Sequence, residues 1–342
     1  MSITQNNSRK YWLDYAKVIG IFLMIYGHGD LCGDLYNYVY SFHMPMFFFI
    51  SGILYKPLPL CDTIKRNWRG LLIPYFLLNL LCYLPQLLAL IWHGTLTIDM
   101  VFYSWGAVLL GLGYNSKGFI PISTPCWFIY ALFIAKVLMA MFMQKKNKRR
   151  FFLIGISLLV TIVLQYVGID LLIPLDSVFL AIPFICIGYL FKEKILVLVQ
   201  RKDLLMDFIT LIFGFLWLIL VPLNGRVDMN TCNVGTSLFL FYVIATIATF
   251  VYFRICYRMY GFSKKVKFIM GGLNIVSKST LLYVAFNLTA ISYTKSIIAH
   301  ISHLPIKNAW ICLLIAIVVF FIHIPVCMFV IKNCPVLIGK RK

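Results

Sequence analysis

Two histidines frame the chemistry open to this chain. His28 closes the first apolar run and His43 opens the second, and the short polar hairpin Asp30–Asn37 joins them. If both runs are helices that cross a membrane, the hairpin sets the two imidazoles at similar depth, with Asp30 beside them. Imidazole titrates near neutrality, so two of them with a carboxylate make a general-base site. For each histidine the competing reading is an interfacial residue satisfied by a backbone carbonyl. Two at matched depth on adjacent helices favour function.

A second polar set lies farther back on the first run. Asp14 and Lys17, three apart, can pair, and the spacing by seven of Asp14, Ile21 and His28 puts all of them along one face. Fourteen residues at 1.5 Å each separate Asp14 from His28 by about 21 Å, so Asp14 cannot orient that imidazole. The pair is expected to organise the cytoplasmic mouth instead. On that side Lys65, Arg66 and Arg69 fall within about one helical turn. Such a cluster suits the phosphates of a nucleotide-like donor. On charge alone it equally suits a topology signal meeting anionic lipid.

Other chemistries find little support. There is no G-x-S-x-G, and Ser51 before Gly52 reads as a helix-packing pair rather than a nucleophile. No H-E-x-x-H is present, and no metal is expected. Ten cysteines are scattered without a C-x-x-C pair, mostly in apolar runs where a thiol is a small hydrophobe. His93, His300 and His303 sit at span ends, and His323, before Pro325, stays unassigned between a site and a kink-satisfying residue.

The elements that carry these residues follow from composition. Of 342 residues 62% are apolar and only 12% charged, yet the net charge is +20. A basic soluble domain or nucleic-acid binder would be far more charged, so no nucleic-acid partner is expected. An all-α, polytopic membrane bundle with its positive charge gathered in cytoplasmic loops fits both numbers. Spans are expected to begin near Tyr11, Tyr38, Leu71, Cys126, Phe151, Ile173, Leu204, Val234, Ile269 and Asn308. With these ten spans and both termini cytoplasmic, 24 of the 31 basic residues fall inside. Only Lys117, Arg226, Lys295 and Lys307 fall outside, and Lys17, Lys136 and Lys278 lie within spans. That partition requires the apolar segment 100–113 to be re-entrant or interfacial, because a full crossing would invert every later loop. A single domain over 1–342 is expected, with its core at about 10–332 and short cytoplasmic tails at 1–9 and 333–342.

The residues also resemble a known family. Asp14-x-x-Lys17 with Gly27-His28, then Phe42-His43-Met44-Pro45-Met46-Phe47-Phe48-Phe49-Ile50-Ser51-Gly52, resembles the acyltransferase 3 family of integral membrane acyltransferases. Within it the chain looks most like the fucose 4-O-acetylase and related envelope-glycan O-acetyltransferases. Arg69-x-Leu-Leu-Ile-Pro74-Tyr75 and Pro125-Cys126-Trp127-Phe128-Ile129-Tyr130 match two further blocks, and Asn224-Gly225 with Asp228 a weaker one. The similarity runs in order over about residues 10 to 330.

The resemblance implies transfer of an acetyl group from cytoplasmic acetyl-CoA to a hydroxyl of an envelope carbohydrate or lipid-linked glycan, in a bacterial inner membrane, with no bound cofactor. The family's first-helix histidine falls on His28, its inner basic residue on Lys17 (often Arg in relatives), and the Arg before the Pro-Tyr block on Arg69. His28 would act as general base or carry the acyl group, with His43 and Asp30 orienting. Lys17, Asp14, Arg69, Arg66 and Lys65 would hold the donor. Ser51, Trp127, Asn224, Asp228 and Asn287 would serve the acceptor or the scaffold. Asn287 stands where relatives commonly carry His, so it keeps hydrogen bonding but no charge change near neutral pH. A glycan exporter or flippase without acyl transfer is the alternative, since it too would bury charges among aromatic spans.

Overall fold

The computed structural model describes residues 11–29, 34–113, 122–143, 148–169, 171, 173–263, 267–302 and 309–340. The first helix, α1 (Tyr11–His28), is wrapped by its neighbours and buries ten of its residues, among them Trp12, Ile21 and Ile25. A helix enclosed on most sides needs no amphipathic stripe, which is how it carries Asp14 and Lys17 without a polar outer face. The two form the expected ion pair, Nζ to Oδ1 at 2.7 Å.

The remaining helices follow in order: α2 (Asp34–Tyr40), α3 (His43–Ile53), α4 (Leu60–Asn67), α5 (Ile73–Trp92), α6 (Ile98–Leu110), α7 (Trp127–Met143), α8 (Lys148–Val167), α9 (Leu175–Leu190), α10 (Lys192–Gln200), α11 (Leu204–Asn224), α12 (Leu238–Ser263), α13 (Lys267–Lys278), α14 (Thr280–Ser302) and α15 (Ala309–Asn333). Among the described residues there is no strand, only one isolated bridge between Asp228 and Asn233. The protein is an all-α membrane bundle. Six helical stretches are long and apolar enough to cross a bilayer: 60–92, 124–142, 204–224, 238–262, 280–300 and 309–333. Three shorter apolar helices accompany them, at 98–110, 151–167 and 175–190.

The helices expected as spans from Tyr11, Tyr38, Phe151 and Ile173 are not among these six, and three of the expected runs differ in build. The run expected from Tyr38 is two helices, broken at Ser41-Phe42, and Pro45 sits in the first turn of α3, where a missing N–H costs nothing. The run expected from Ile269 is likewise broken at Ser279 into α13 and α14. The span expected from Val234 begins at Leu238, because residues 225–237 form a structured loop.

The segment 98–110 is a separate helix, opened by the Thr97 hydroxyl accepting from Met100 N–H and closed by Gly111 at φ +72°. It runs antiparallel to α5: the Tyr75 hydroxyl donates to Val108 O at 2.7 Å, and the Tyr83 and Trp105 rings meet edge to face. By Ser123 the chain is back beside Cys82, both side chains donating to the carbonyl of Ala285. Helix α6 therefore packs back along α5, and Ser123 and Cys82 meet at one carbonyl of α14.

Helix α3 is seated on α9 through two glycines. A Cβ at Gly52 would overlap the Ile185 carbonyl, and one at Gly188 would overlap the Phe49 carbonyl. This backbone-to-backbone approach is the small-residue packing of membrane helices, and it identifies Ser51-Gly52 as a packing pair. On the far side, buried Arg254 of α12 donates to the carbonyls of Val199 and Arg201 and to Asp207, tying the α10–α11 turn to the bundle.

Candidate functional site

His28 ends α1 half-buried, and its Nδ1 lies 2.6 Å from Oδ1 of Asn287 on α14. The orientation of that amide is fixed from its other side, where Asn287 Nδ2 donates to the carbonyls of Tyr283 at 2.9 Å and Val284 at 2.8 Å. Two carbonyls demand the NH₂, so the oxygen faces the histidine and accepts from Nδ1–H. A neutral His28 held this way carries its lone pair on Nε2. Asn287 is fully buried. It performs the orienting task that Asp14, a long way down α1, cannot.

His43, the first residue of α3, is 2% exposed and donates Nδ1–H to Val39 O at 3.0 Å, which again leaves Nε2 with the lone pair. Tyr40 stands between the imidazoles, 6.3 Å from the His28 ring and 4.7 Å from His43. Both histidines line one cavity of about 840 Å³, as their matched depth predicted. Asp30 lies outside the described residues.

The cavity is apolar on the side of Ile21, Met24, Phe47 and Leu281 and polar on the side of Tyr36, Arg226, Asp228 and Asn230. The polar wall hangs from the loop 225–237. Buried Asn224 springs that loop: its Nδ2 donates to Val234 O, and its Oδ1 accepts from Ser237 N–H and the Thr236 hydroxyl. Gly235, at φ +80°, leaves room for this, since any Cβ there would strike the Asn224 backbone and amide. Three contacts then pin the loop to other elements. The Ser177 hydroxyl donates to Met229 O, Gln165 Nε2 to Cys232 O, and Asn230 Nδ2 to Gly113 O. Burial raises the Asp228 carboxyl above its ordinary value, against the opposing pull of the Asn230 N–H and Arg226.

The structure sorts the other expected residues. Trp127, at the start of α7, lines the cavity, as does Asp228, whereas Asn224 serves the scaffold. Ser51 does not line it. Lys65, Arg66 and Arg69 are exposed together on α4 and the π-turn 68–72, away from the cavity wall. Lys17 and Asp14 also sit apart from it, Lys17 about 16 Å down α1 from His28. His323 donates Nδ1–H to Val319 O and stacks on Tyr283 at 4.8 Å, outside the cavity.

Residue types alone did not single out Tyr36, Tyr40, Arg226 and Asn230. One signal was available for Arg226: it is among four basic residues on the sparsely charged side, two positions from Asp228. Lys136, half-buried on α7 and close enough to Arg66 to feel its charge, was likewise counted only for topology.

Comparison with known proteins gives one match. Residues 10–332 fit the family model of an acyltransferase domain, nearly the full length of the chain. No curated protein and no solved structure matches it.

Proposed function

The chain belongs to the acyltransferase-domain family, and from that premise we propose that this membrane acyltransferase moves acetyl from acetyl-CoA to a hydroxyl of an envelope carbohydrate, with His28 as the general base. The observation that carries the reading is the Asn287 clamp, which fixes the tautomer that leaves Nε2 of His28 basic. In one step Nε2 takes the proton of the acceptor hydroxyl as its oxygen bonds to the thioester carbonyl carbon. The C–S bond then breaks, and the proton passes from His28 to the departing thiolate, so imidazole is regenerated and charge balances. His43, within the same wall, orients the acceptor by accepting a hydrogen bond at its Nε2.

The donor is assigned to the opposite end. The exposed Lys65, Arg66 and Arg69, with the Asp14–Lys17 pair, suit the phosphates of CoA, while the long acyl-pantetheine arm runs between apolar side chains toward His28. A basic end holding donor and a polar wall at the imidazoles separate the two substrates by half the length of α1 or more. This favours a cytoplasmic donor and an acceptor from the other face, in a bacterial inner membrane.

The test is transfer of radiolabelled acetyl from acetyl-CoA into envelope glycan by membranes holding wild type or His28→Ala at matched protein level. Loss of label with His28→Ala is the expected result. Undiminished label rules out His28 as the base, and glycan translocation that depends on His28 without any labelling favours the exporter reading.

A further inference from the structure

The polar wall of the cavity holds groups that the proton transfer leaves unused. The Arg226 guanidinium lies 4.7 Å from the centre of the Tyr36 ring, and Tyr36 stacks on Tyr40 at 3.8 Å with the planes 20° apart. That stack runs toward the imidazoles, Tyr40 meeting the His43 ring at 4.7 Å. Asp228 faces the same space, one carboxylate oxygen accepting from Asn230 N–H at 2.9 Å.

We infer that Arg226, Asp228 and Tyr36 form the acceptor-selecting subsite, and that it admits an uncharged ring bearing adjacent hydroxyls in preference to an anionic one. The inference rests on the acyltransferase reading above and adds to it the choice of acceptor. Three features argue for it. Arg226 and Asp228 are the only Lys, Arg, Asp or Glu side chains among the described cavity-lining residues, one of each sign, so the described wall carries no net charge. An anionic ring would lose water to meet Asp228, and a cationic one to meet Arg226, each at a cost that a neutral ring avoids. A guanidinium and a carboxylate on one wall offer donors and acceptors to the same ring, which suits hydroxyls that each donate and accept.

The third feature is rigidity. The loop is held by the Asp228–Asn233 bridge and by contacts to α8, α9 and the segment after α6, so its polar groups are ordered before the acceptor arrives. A loop that only joined two spans would need none of these ties.

The experiment uses the full chain in lipid nanodiscs with radiolabelled acetyl-CoA. The probes are a neutral methyl hexopyranoside, the matching methyl hexuronoside that differs only by its carboxylate, and a lipid extract of the source membrane. Label is expected on the neutral glycoside roughly tenfold or more above the uronoside, the size of one uncompensated charge contact. With Asp228→Asn the ratio should fall toward one or invert, as Arg226 loses its counter-charge, and Arg226→Gln, which leaves Asp228 uncompensated, should widen discrimination against the anion. Equal or better labelling of the uronoside by wild type overturns the inference. So does labelling of the lipid extract with neither glycoside labelled, and both outcomes leave acyl transfer standing. If no probe is labelled and no CoA is released, the acyltransferase reading falls and this one with it. A double arm with Asp228→Glu, which keeps the charge, separates selectivity from folding: it should retain the neutral preference.

Discussion

Asn287 and His28 meet through a 2.6 Å side-chain hydrogen bond although 259 positions separate them in the chain. A neutral amide here occupies the place that a carboxylate takes in many hydrolytic triads, and it fixes the tautomer without adding charge to a low-dielectric site. Asn287→Ala should therefore lower kcat by about 10²–10⁴-fold, because the imidazole loses its preferred tautomer. KM for acetyl-CoA should stay within about twofold, since the site proposed for the donor's charged end lies elsewhere. Steady-state kinetics on variants with matched thermal stability would check this. A change confined to KM would remove Asn287 from the chemistry.

The basic cluster predicts the reverse pattern. Arg69→Ala and Arg66→Ala should each raise KM for acetyl-CoA by about tenfold, the loss of one charge-assisted phosphate contact, with kcat at saturation nearly kept. Replacing acetyl-CoA by a pantetheine thioester without the nucleotide should erase the difference between variants and wild type. Persistence of the difference with the short donor would assign the arginines to the scaffold.

Asp228 gives selectivity a pH dependence of defined sign. Burial holds its carboxyl above the ordinary value, so on acidification it takes up a proton earlier than an exposed aspartate would. The neighbouring Arg226 stays charged, and the phenols of Tyr36 and Tyr40 remain neutral throughout that range. The wall then becomes positive, and the ratio of uronoside to neutral glycoside labelling should rise as pH falls. Taking the ratio cancels any effect of His28 protonation common to both acceptors. A ratio that stays flat across the acidic range would detach Asp228 from acceptor choice.

Gly52→Ala should cost about 1–3 kcal/mol, because its Cβ meets main-chain atoms of α9 that cannot rotate away. Thermal unfolding in detergent would register the loss. Since α3 also carries His43, the variant should lose activity before it loses its fold. Gly70→Ala, where a Cβ meets nothing within 4 Å, is the matched control and should leave melting unchanged.

Arg254→Met should destabilise the protein by about 3 kcal/mol, chiefly through the buried carbonyl of Val199 and the partly buried one of Arg201 that lose their donor. The ion pair adds little, because Asp207 is 46% exposed and screened. Asp207→Asn should accordingly shift the melt far less than Arg254→Met, and a larger shift from Asp207→Asn would reverse that ranking.

Much of this was legible in the sequence because membrane burial makes polar residues costly and conspicuous. His28, His43 and the Asp14–Lys17 pair stood out on apolar runs, and the segment 100–113, set apart by the charge count, falls largely in the separate short helix 98–110. What stayed hidden were pairings across distant spans. Asn287 was noticed for lacking a titratable group, and nothing local announces that its amide is turned toward His28 by two carbonyls of its own helix. The breaks at Ser41-Phe42 and Ser279 were masked because hydropathy continues through them, although Pro45 in a first turn is a start signal that could have been read. The loop 225–237 was the hardest, since its order comes from contacts to α8, α9 and the segment just after α6 rather than from its own composition.

The central place of α1 has a bearing on how the protein is made. Its shell includes α12, α13, α14 and α15, all encoded more than 200 positions downstream. When α1 leaves the ribosome, its Asp14, Lys17 and His28 have no such shelter, and lipid is a poor host for them. The first helix must therefore be kept beside the insertion machinery, or in a watery vestibule, until the last third of the chain arrives to enclose it. A chain arrested before Asn287 would lack the partner of His28, so on the proposed chemistry activity would wait for the final helices to close around the first.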